Sequence, residues 1–285
     1  MTGLLNALVC QDLVLRRSAD HPVTMRSTAR DEGPNSVLGR ALSLVCSFGP
    51  HDRELSLSEL SRRTDIAKAT VHRLINELAE WGIVERTDKG VQLGMRLFEL
   101  GQLAPRQRGL HEAALPYLRD LWEATHETVH LTVLEGREVV FVEKLLGRGG
   151  PPMASRVGGR FPAHCTAGGK ALLAFSRPEV LIEVLSAVRE GELERITSRT
   201  IVMPGMLRRE LAAIKRRGVA FEHEESAKGV TCVACPVLGS DGFAVGAVSI
   251  GGLITRMDPQ RLAPAVRTAA LSLSRLMGTP SLSRF

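Results

Sequence analysis

The sequence predicts an α+β protein in which a small helical domain with a β-hairpin precedes a larger domain built on an antiparallel sheet. Apolar residues recur at helical spacing in three short segments between residues 36 and 81, and a strand, turn and strand follow them. Later segments alternate at strand spacing around glycine turns and are interleaved with amphipathic helices.

The composition is typical of a folded protein rather than of a disordered or membrane-spanning one. Of its 285 residues, 44% are hydrophobic, which is enough for a sizeable core. No apolar run reaches the roughly 18 residues that a spanning helix needs, and the first residues lack the basic start of a secretory signal. The five cysteines are odd in number and scattered, so we expect reduced thiols in a cytoplasmic protein with no membrane partner.

The charge is distributed unevenly along the chain. The net charge of +6 suggests an anionic partner. Residues 1–94 nevertheless carry 12 basic and 12 acidic residues, so the whole excess of positive charge lies after residue 94. Any contact with an anionic partner in this N-terminal region must therefore depend on the positions of individual side chains rather than on net charge.

Residues 36–94 follow an arm of uncertain order, residues 1–35, and carry the pattern of three helices. The first begins near Ser36, with its apolar positions at Val37, Leu38, Ala41, Leu42, Val45 and Phe48. Ser56 and Glu59 form a capping box that starts the second helix. A turn leads into the third helix, roughly residues 68–81, whose buried stripe is predicted to be Val71, Leu74, Ile75 and Leu78.

The segment "GIVERTDKGVQLG" predicts a strand, a tight turn and a second strand. Three helices closed by a hairpin with a basic tip make a winged helix-turn-helix, in which the second helix of the pair reads base edges in the major groove. We therefore expect DNA contacts from eight residues of the third helix and the hairpin: Lys68, Ala69, Thr70, His72, Arg73, Asn76, Arg86 and Lys89. No carboxylate or cysteine stands beside His72 on its side of the helix, so a DNA contact suits it better than general-base chemistry.

The remaining pattern predicts a second domain. Residues 95–110 continue at helical spacing up to a break near Pro105 and Gly109, which predicts a linker helix. Residues 111–280 then contain a hairpin around Gly136, three late strands and several amphipathic helices. We expect an antiparallel sheet with helices on its faces.

Over about residues 36–278 the chain resembles the IclR family of bacterial transcriptional regulators. The resemblance rests on "SELSRRTDIAKATVHRLINELAEWGIVER", "FPAHCTAGGKALLA" and "RGVAFEHEESAKGVTCVACPVLGSDGFAVGAVSIGG". It implies a winged helix-turn-helix, a linker helix and a GAF-like domain that binds a small-molecule effector. It also implies a homo-dimer or tetramer that represses or activates transcription at a double-stranded DNA operator. Ala69 and Gly251 depart from the family pattern, since each stands where serine is common.

The same resemblance implies an effector cavity at Met153, Ala167, Gly168, Glu222, Val230, Cys232 and Ser249. The small residues of "CTAGGK" leave room for a ligand, and they begin a helix whose first N–H groups could bind an anionic or carbonyl-bearing ligand. The glycines could equally serve packing alone. Glu222 would be buried beside the ligand and should meet a donor on it or a neighbouring hydroxyl. We expect a small aromatic or hydroxy acid as the effector.

Two cysteine motifs leave catalytic or metal-binding alternatives. In "CVAC", Cys232 and Cys235 could form a redox pair or half of a metal site, but an odd spacing in one strand sends the two side chains to opposite faces of the sheet. His164 and Cys165 are adjacent, yet no acid or second histidine nearby completes a triad. We therefore expect no enzyme, cofactor or metal. A ligand-free DNA-binding protein is the other alternative, and it predicts that no small molecule changes DNA affinity.

Overall fold

The computed structural model describes residues 36–103, 105–149, 155–189, 191 and 193–278. The chain divides into two compact units, Met1–Ala104 and Pro105–Phe285. The predicted N-terminal arm, residues 1–35, lies outside the described residues.

The first unit contains the three predicted helices: α1 (Val37–Cys46), α2 (Leu57–Thr64) and α3 (Lys68–Glu80). The capping box at the start of α2 is confirmed, because the Ser56 hydroxyl accepts a hydrogen bond from the Glu59 N–H at 3.1 Å. The turn after α2 is made by Asp65 in the left-handed region, with φ at 54°. The start of α2 and the turn after it are therefore set by residues close together in the sequence.

Only part of the predicted apolar face of α1 packs into this unit. Leu44 and Phe48 are buried in its core, together with residues of α2, α3 and the hairpin. Val37, Leu38 and Leu42 are half or more exposed. The apolar face of α1 is thus wider than the surface that α2 and α3 offer to it.

The predicted hairpin is confirmed as β1 (Val84–Thr87) and β2 (Gly90–Leu93), which we call the wing. Leu55 adds a single antiparallel bridge to Val91 on the other side of β2. At Gly90 the two backbones come so close that a Cβ would lie 2.3 Å from the Leu55 carbonyl oxygen. Only glycine fits this position of the wing.

The segment predicted as one linker helix, residues 95–110, contributes instead to two helices, α4 (Met95–Gln102) and α5 (Pro105–Thr125). Pro105 begins α5, a position where its missing N–H costs nothing. Gly109, expected to mark a break, lies inside α5. The break predicted at Pro105 is therefore the start of a second helix.

The second unit is built on the predicted antiparallel sheet. Its six strands lie in the order β5-β4-β3-β8-β7-β6, and every neighbouring pair is antiparallel. The strands are β3 (Thr128–Glu135), β4 (Glu138–Leu145), β5 (Arg160–Pro162), β6 (Ala220–His223), β7 (Val230–Leu238) and β8 (Ala244–Leu253).

Helices cover both faces of this sheet. The helices that follow β5 are α6 (Ala167–Ala174), α7 (Pro178–Arg189), α8 (Pro204–Arg217) and α9 (Pro259–Met277). One face of the sheet packs against α5 and α9, and the core on the other face contains residues of α6, α7 and α8. The prediction for "CVAC" is confirmed, since Cys235 belongs to the core under α5 and α9 whereas Cys232 packs against the core under α6.

Candidate functional site

The outward face of α3 is the first candidate surface. Val71, Leu74 and Ile75 are buried, and Leu78 is partly buried, as the helical period predicts. The remaining positions leave a polar face directed away from the core of the unit. Of the residues predicted to contact DNA, Thr70 is half-buried, and these seven are exposed: Lys68, Ala69, His72, Arg73, Asn76, Arg86 and Lys89.

Two polar contacts organise this face. The Arg73 guanidinium pairs with the Glu77 carboxylate one turn later at 2.6 Å. The Asn76 Oδ1 atom accepts a hydrogen bond from Arg86 of the wing at 2.5 Å, and the Asn76 Nδ2 atom lies 3.5 Å from His72 Nδ1. Asn76 therefore joins the wing to α3. The period of α3 could not show this contact, because Asn76 and Arg86 stand on different elements.

The second candidate surface is a cavity in the second unit, between α6 and one face of the sheet. Five of the residues predicted for the effector line it together: Ala167, Gly168, Val230, Cys232 and Ser249. The space free of protein atoms is about 570 Å³, part of it continuous with solvent. Met153 lies outside the described residues.

The start of α6 supplies backbone donors to the cavity. Thr166 caps the helix, and its hydroxyl accepts from the Gly169 N–H at 2.9 Å. Within the described chain, the N–H groups of Ala167 and Gly168 have no protein acceptor, so they are available to a ligand. A Cβ at Gly168 would lie 2.8 Å from Thr132 Oγ1, so this glycine serves packing as well as leaving room.

Glu222 is not among the described side chains that line the cavity, contrary to the expectation that it lies beside the ligand. It is fully buried on β6, and its Oε1 atom accepts from the backbone N–H groups of Glu225 and Ser226 at 2.6 and 3.0 Å. The next loop contributes Ser226 and Ala227 to the cavity wall. Glu222 thus shapes the cavity through this loop. The predicted neighbouring hydroxyl is that of Ser226, 3.3 Å away.

A buried charge cluster lies beside the cavity. Lys170 of α6 is 1% exposed and forms an ion pair with Glu225. Burial raises the pKa of Glu225 to about 7, against the opposing effect of the Lys170 ammonium. Burial also raises the pKa of Glu222, against the hydrogen bonds from the loop. Within the described part of the chain, the Oε2 atoms of both glutamates lack a hydrogen-bond partner. The cluster holds two carboxyl groups and one ammonium.

More than half of the residues that line the cavity were not predicted from the sequence. The additional residues come mainly from β3, β4 and the segments that flank α6: His130, Thr132, Phe141, Ser155, Phe161, Thr166, Ser226 and Ala227. A signal was present in "VHLTV", where polar residues alternate with apolar ones in a strand whose two faces are both covered. His130 and Thr132 are both buried and face the α6 side.

The cysteines in the described part of the chain show no catalytic arrangement. Cys165 Sγ donates to the Pro162 carbonyl at 3.3 Å, whereas His164 Nε2 lies 3.0 Å from the Glu194 carbonyl oxygen. Burial raises the pKa of Cys165 and of Cys232, which disfavours the reactive thiolate. Among the residues that the structure describes, no group of three potential ligands could hold a metal ion, and no helix is long and apolar enough to cross a membrane.

Comparison with known proteins covers both units. The model "IclR helix-turn-helix domain" matches residues 37–88, and "Bacterial transcriptional regulator IclR C-terminal" matches residues 103–275. HTH-type transcriptional regulator BhcR of Paracoccus denitrificans (strain Pd 1222) is 35% identical over 252 residues, which cover 86% of this chain and 88% of the relative. HTH-type transcriptional regulator XynR of Escherichia coli (strain K12) is 32% identical over 248 residues, covering 85% and 97%.

One solved structure matches most of the chain. It is the crystal structure of an IclR homolog complexed with 4-hydroxybenzoate from Microbacterium hydrocarbonoxydans. The TM-score is 0.77 at 31% sequence identity, and the match covers 84% of this chain and 98% of that chain.

Proposed function

Since the chain belongs to the IclR family of bacterial transcriptional regulators, we propose that α3 and the wing read its operator and that the cavity beside α6 binds its effector. The protein is a DNA-binding regulator with an N-terminal helix-turn-helix and a C-terminal effector-binding domain, and its relatives are regulators rather than enzymes. The expectation that the protein is not an enzyme is therefore confirmed.

The DNA-reading proposal rests on the polar face of α3. Its apolar stripe packs into the core, whereas Lys68, His72 and Arg73 are exposed in its N-terminal half. Lys89 lies at the tip of the wing, in the two-residue loop between β1 and β2. In winged helices the recognition helix enters the major groove, and basic residues outside it position the protein through phosphates.

The observation that carries the effector proposal is the convergence of five predicted residues from α6, β7 and β8 on one cavity. The free N–H groups at the start of α6 suit a carboxylate, and the two phenylalanines of the wall suit an aromatic ring. A relative with the same fold is complexed with 4-hydroxybenzoate, which has both groups. We propose a small aromatic acid as the effector of this protein too.

Thermal shift with a panel of aromatic and hydroxy acids, followed by operator binding with the hits, tests this function. A ligand at 100 times its Kd should stabilise the protein by about 2.7 kcal/mol and change the operator affinity. DNA affinity that no stabilising acid alters would contradict effector control and favour a ligand-independent DNA-binding protein.

We also propose that the protein acts as a dimer. Several large apolar side chains of the first unit are half or more exposed, among them Leu38 and Leu42 of α1 and Phe98 of α4. Such surfaces are typical of subunit interfaces. A dimer would place two recognition helices on half-sites about one helical turn apart, roughly 34–36 Å, which one winged helix cannot do.

Light scattering at micromolar concentration should give the mass of a dimer or of a tetramer built from dimers. Phe98 is 63% exposed. Phe98→Asp should lower this mass and weaken operator binding, because it would place a charge in the proposed interface. Ile182→Asp is the matched control, since Ile182 is 64% exposed on α7 of the second unit. A monomeric parent that still binds one non-palindromic site tightly would contradict the proposal.

A further inference from the structure

The β3 wall of the cavity contains a histidine that the family resemblance does not assign to the effector. His130 is 3% exposed, lines the cavity and pairs across the sheet with Ser249 of β8. Its ring lies against Phe141, with the ring centroids 5.2 Å apart and the planes tilted by 55°. His130 therefore stands at the edge of the aromatic part of the cavity.

One ring nitrogen of His130 is held by the protein and the other is not. His130 Nε2 lies 2.9 Å from the Ser155 hydroxyl, and the Ser155 carbonyl accepts from Lys144 Nζ at 2.5 Å. His130 Nδ1 has no hydrogen-bond partner within the described chain. A histidine with a purely structural role would use its polar atoms inside the protein. Here one nitrogen remains for a ligand in the cavity.

The imidazole of His130 is neutral. Burial lowers its pKa to about 3, and the neighbouring Lys144 ammonium acts in the same direction. A neutral imidazole has one donor and one acceptor nitrogen. Because the Ser155 hydroxyl can either donate or accept, His130 Nδ1 can do either towards a ligand. It cannot offer a positive charge to a second carboxylate.

We propose that His130, oriented by Ser155, sets the specificity of the cavity by hydrogen bonding a neutral hydroxyl or carbonyl group of a ligand that carries a single carboxylate. This inference rests on the proposed effector site. It adds which ligand group contacts His130, at the end opposite the carboxylate. The carboxylate lies at the N–H groups of Ala167 and Gly168, and the ring lies between Phe141 and Phe161. Dicarboxylates are disfavoured, since the neutral imidazole cannot balance their second charge and the neighbouring Lys144 ammonium already donates to the Ser155 carbonyl.

Calorimetry with benzoate, 4-hydroxybenzoate and terephthalate tests the proposal on the full-length protein. The parent should bind 4-hydroxybenzoate roughly 10-fold or more tightly than benzoate, because benzoate leaves Nδ1 unpaired. Terephthalate should bind more weakly than either. In His130→Phe the preference for the hydroxyl should fall to within about threefold while benzoate binding is kept.

Ser155→Ala should reduce the preference in part, because the imidazole loses its orienting partner. His111→Phe is the matched control: His111 pairs with Glu143 at 2.7 Å outside the cavity, so its loss should leave the preference unchanged. Retained benzoate binding shows that the cavity of His130→Phe is folded, and melting temperatures check the fold independently.

Three results would overturn the proposal: an unchanged hydroxyl preference in His130→Phe, no preference in the parent, or tight binding of terephthalate. Failure of the parent to bind any of the three acids would overturn it as well. In that case operator binding by the same preparation, and its response to other stabilising ligands, would show whether the regulator proposal still stands.

Discussion

Lys170→Met is expected to lower the free energy of unfolding by about 3–5 kcal/mol at pH 8. The Lys170 ammonium is 1% exposed and pairs with Glu225, while the Glu222 carboxyl accepts the Glu225 N–H in the same cluster. Removing the ammonium leaves two buried carboxyl groups without a cation. Breaking such a pair costs far more than the pair itself contributes, since an uncompensated charge remains in the core.

The loss should shrink as the pH falls. In the parent, burial raises the pKa of both carboxyls above their ordinary value of 4.5, that of Glu225 to about 7. The folded state therefore binds more protons than the unfolded state between about pH 4.5 and 7, so the free energy of unfolding decreases as pH rises through this window. Without Lys170 the carboxyls ionise less readily still, so the free energy of unfolding decreases more as the pH rises. Denaturant unfolding at pH 5, 6, 7 and 8 measures it.

Two variants control this experiment. Glu222→Gln keeps an oxygen acceptor for the loop N–H groups and leaves one carboxylate facing one ammonium, so its stability at pH 8 should equal or exceed that of the parent. Arg177→Met breaks the exposed pair with Asp241 and should cost about 0–1 kcal/mol. A Lys170→Met loss that matched Arg177→Met, or that stayed constant with pH, would show that the buried charge is not decisive.

Arg73→Ala should weaken operator binding by about 1–3 kcal/mol and relax specificity at one base position. Arg73 is exposed on α3, and within the described part of the chain its guanidinium is bound to Glu77 alone, one turn away on the same surface. Exposed pairs of this kind contribute little, so the guanidinium can leave Glu77 for a base edge. Fluorescence anisotropy with the operator, its single-base variants and random DNA measures both effects.

The chain offers matched controls for Arg73. Arg96 is 57% exposed, as Arg73 is, and pairs with Glu99 at 2.9 Å, but it lies on α4. Arg96→Ala should therefore leave base specificity unchanged. Lys89→Ala at the wing tip should weaken specific and random DNA alike and reduce the salt slope by about 1. Equal losses on specific and random DNA for Arg73→Ala would remove its base-reading role.

Much of the first unit could be predicted from sequence. The capping box at Ser56, the buried stripe of α3 and the two-residue turn at Asp88 and Lys89 are all set by residues within a few positions of one another. The strand period also placed Cys232 and Cys235 on opposite faces. Helix capping, the 3.6-residue helical period and the two-residue strand period involve residues that are close in the chain, so the local sequence is sufficient to predict these features.

The tertiary structure decided the contacts between distant elements. The pairing of Lys170 with Glu225, the turn of Glu222 towards its own loop and the placement of His130 at the cavity depend on how α6 packs on the sheet. The sequence supplied these polar residues among apolar neighbours but not their partners. A buried charge or imidazole is stable only where a partner is within hydrogen-bond distance. That distance depends on how the helices and the sheet pack together rather than on the spacing of residues along the chain.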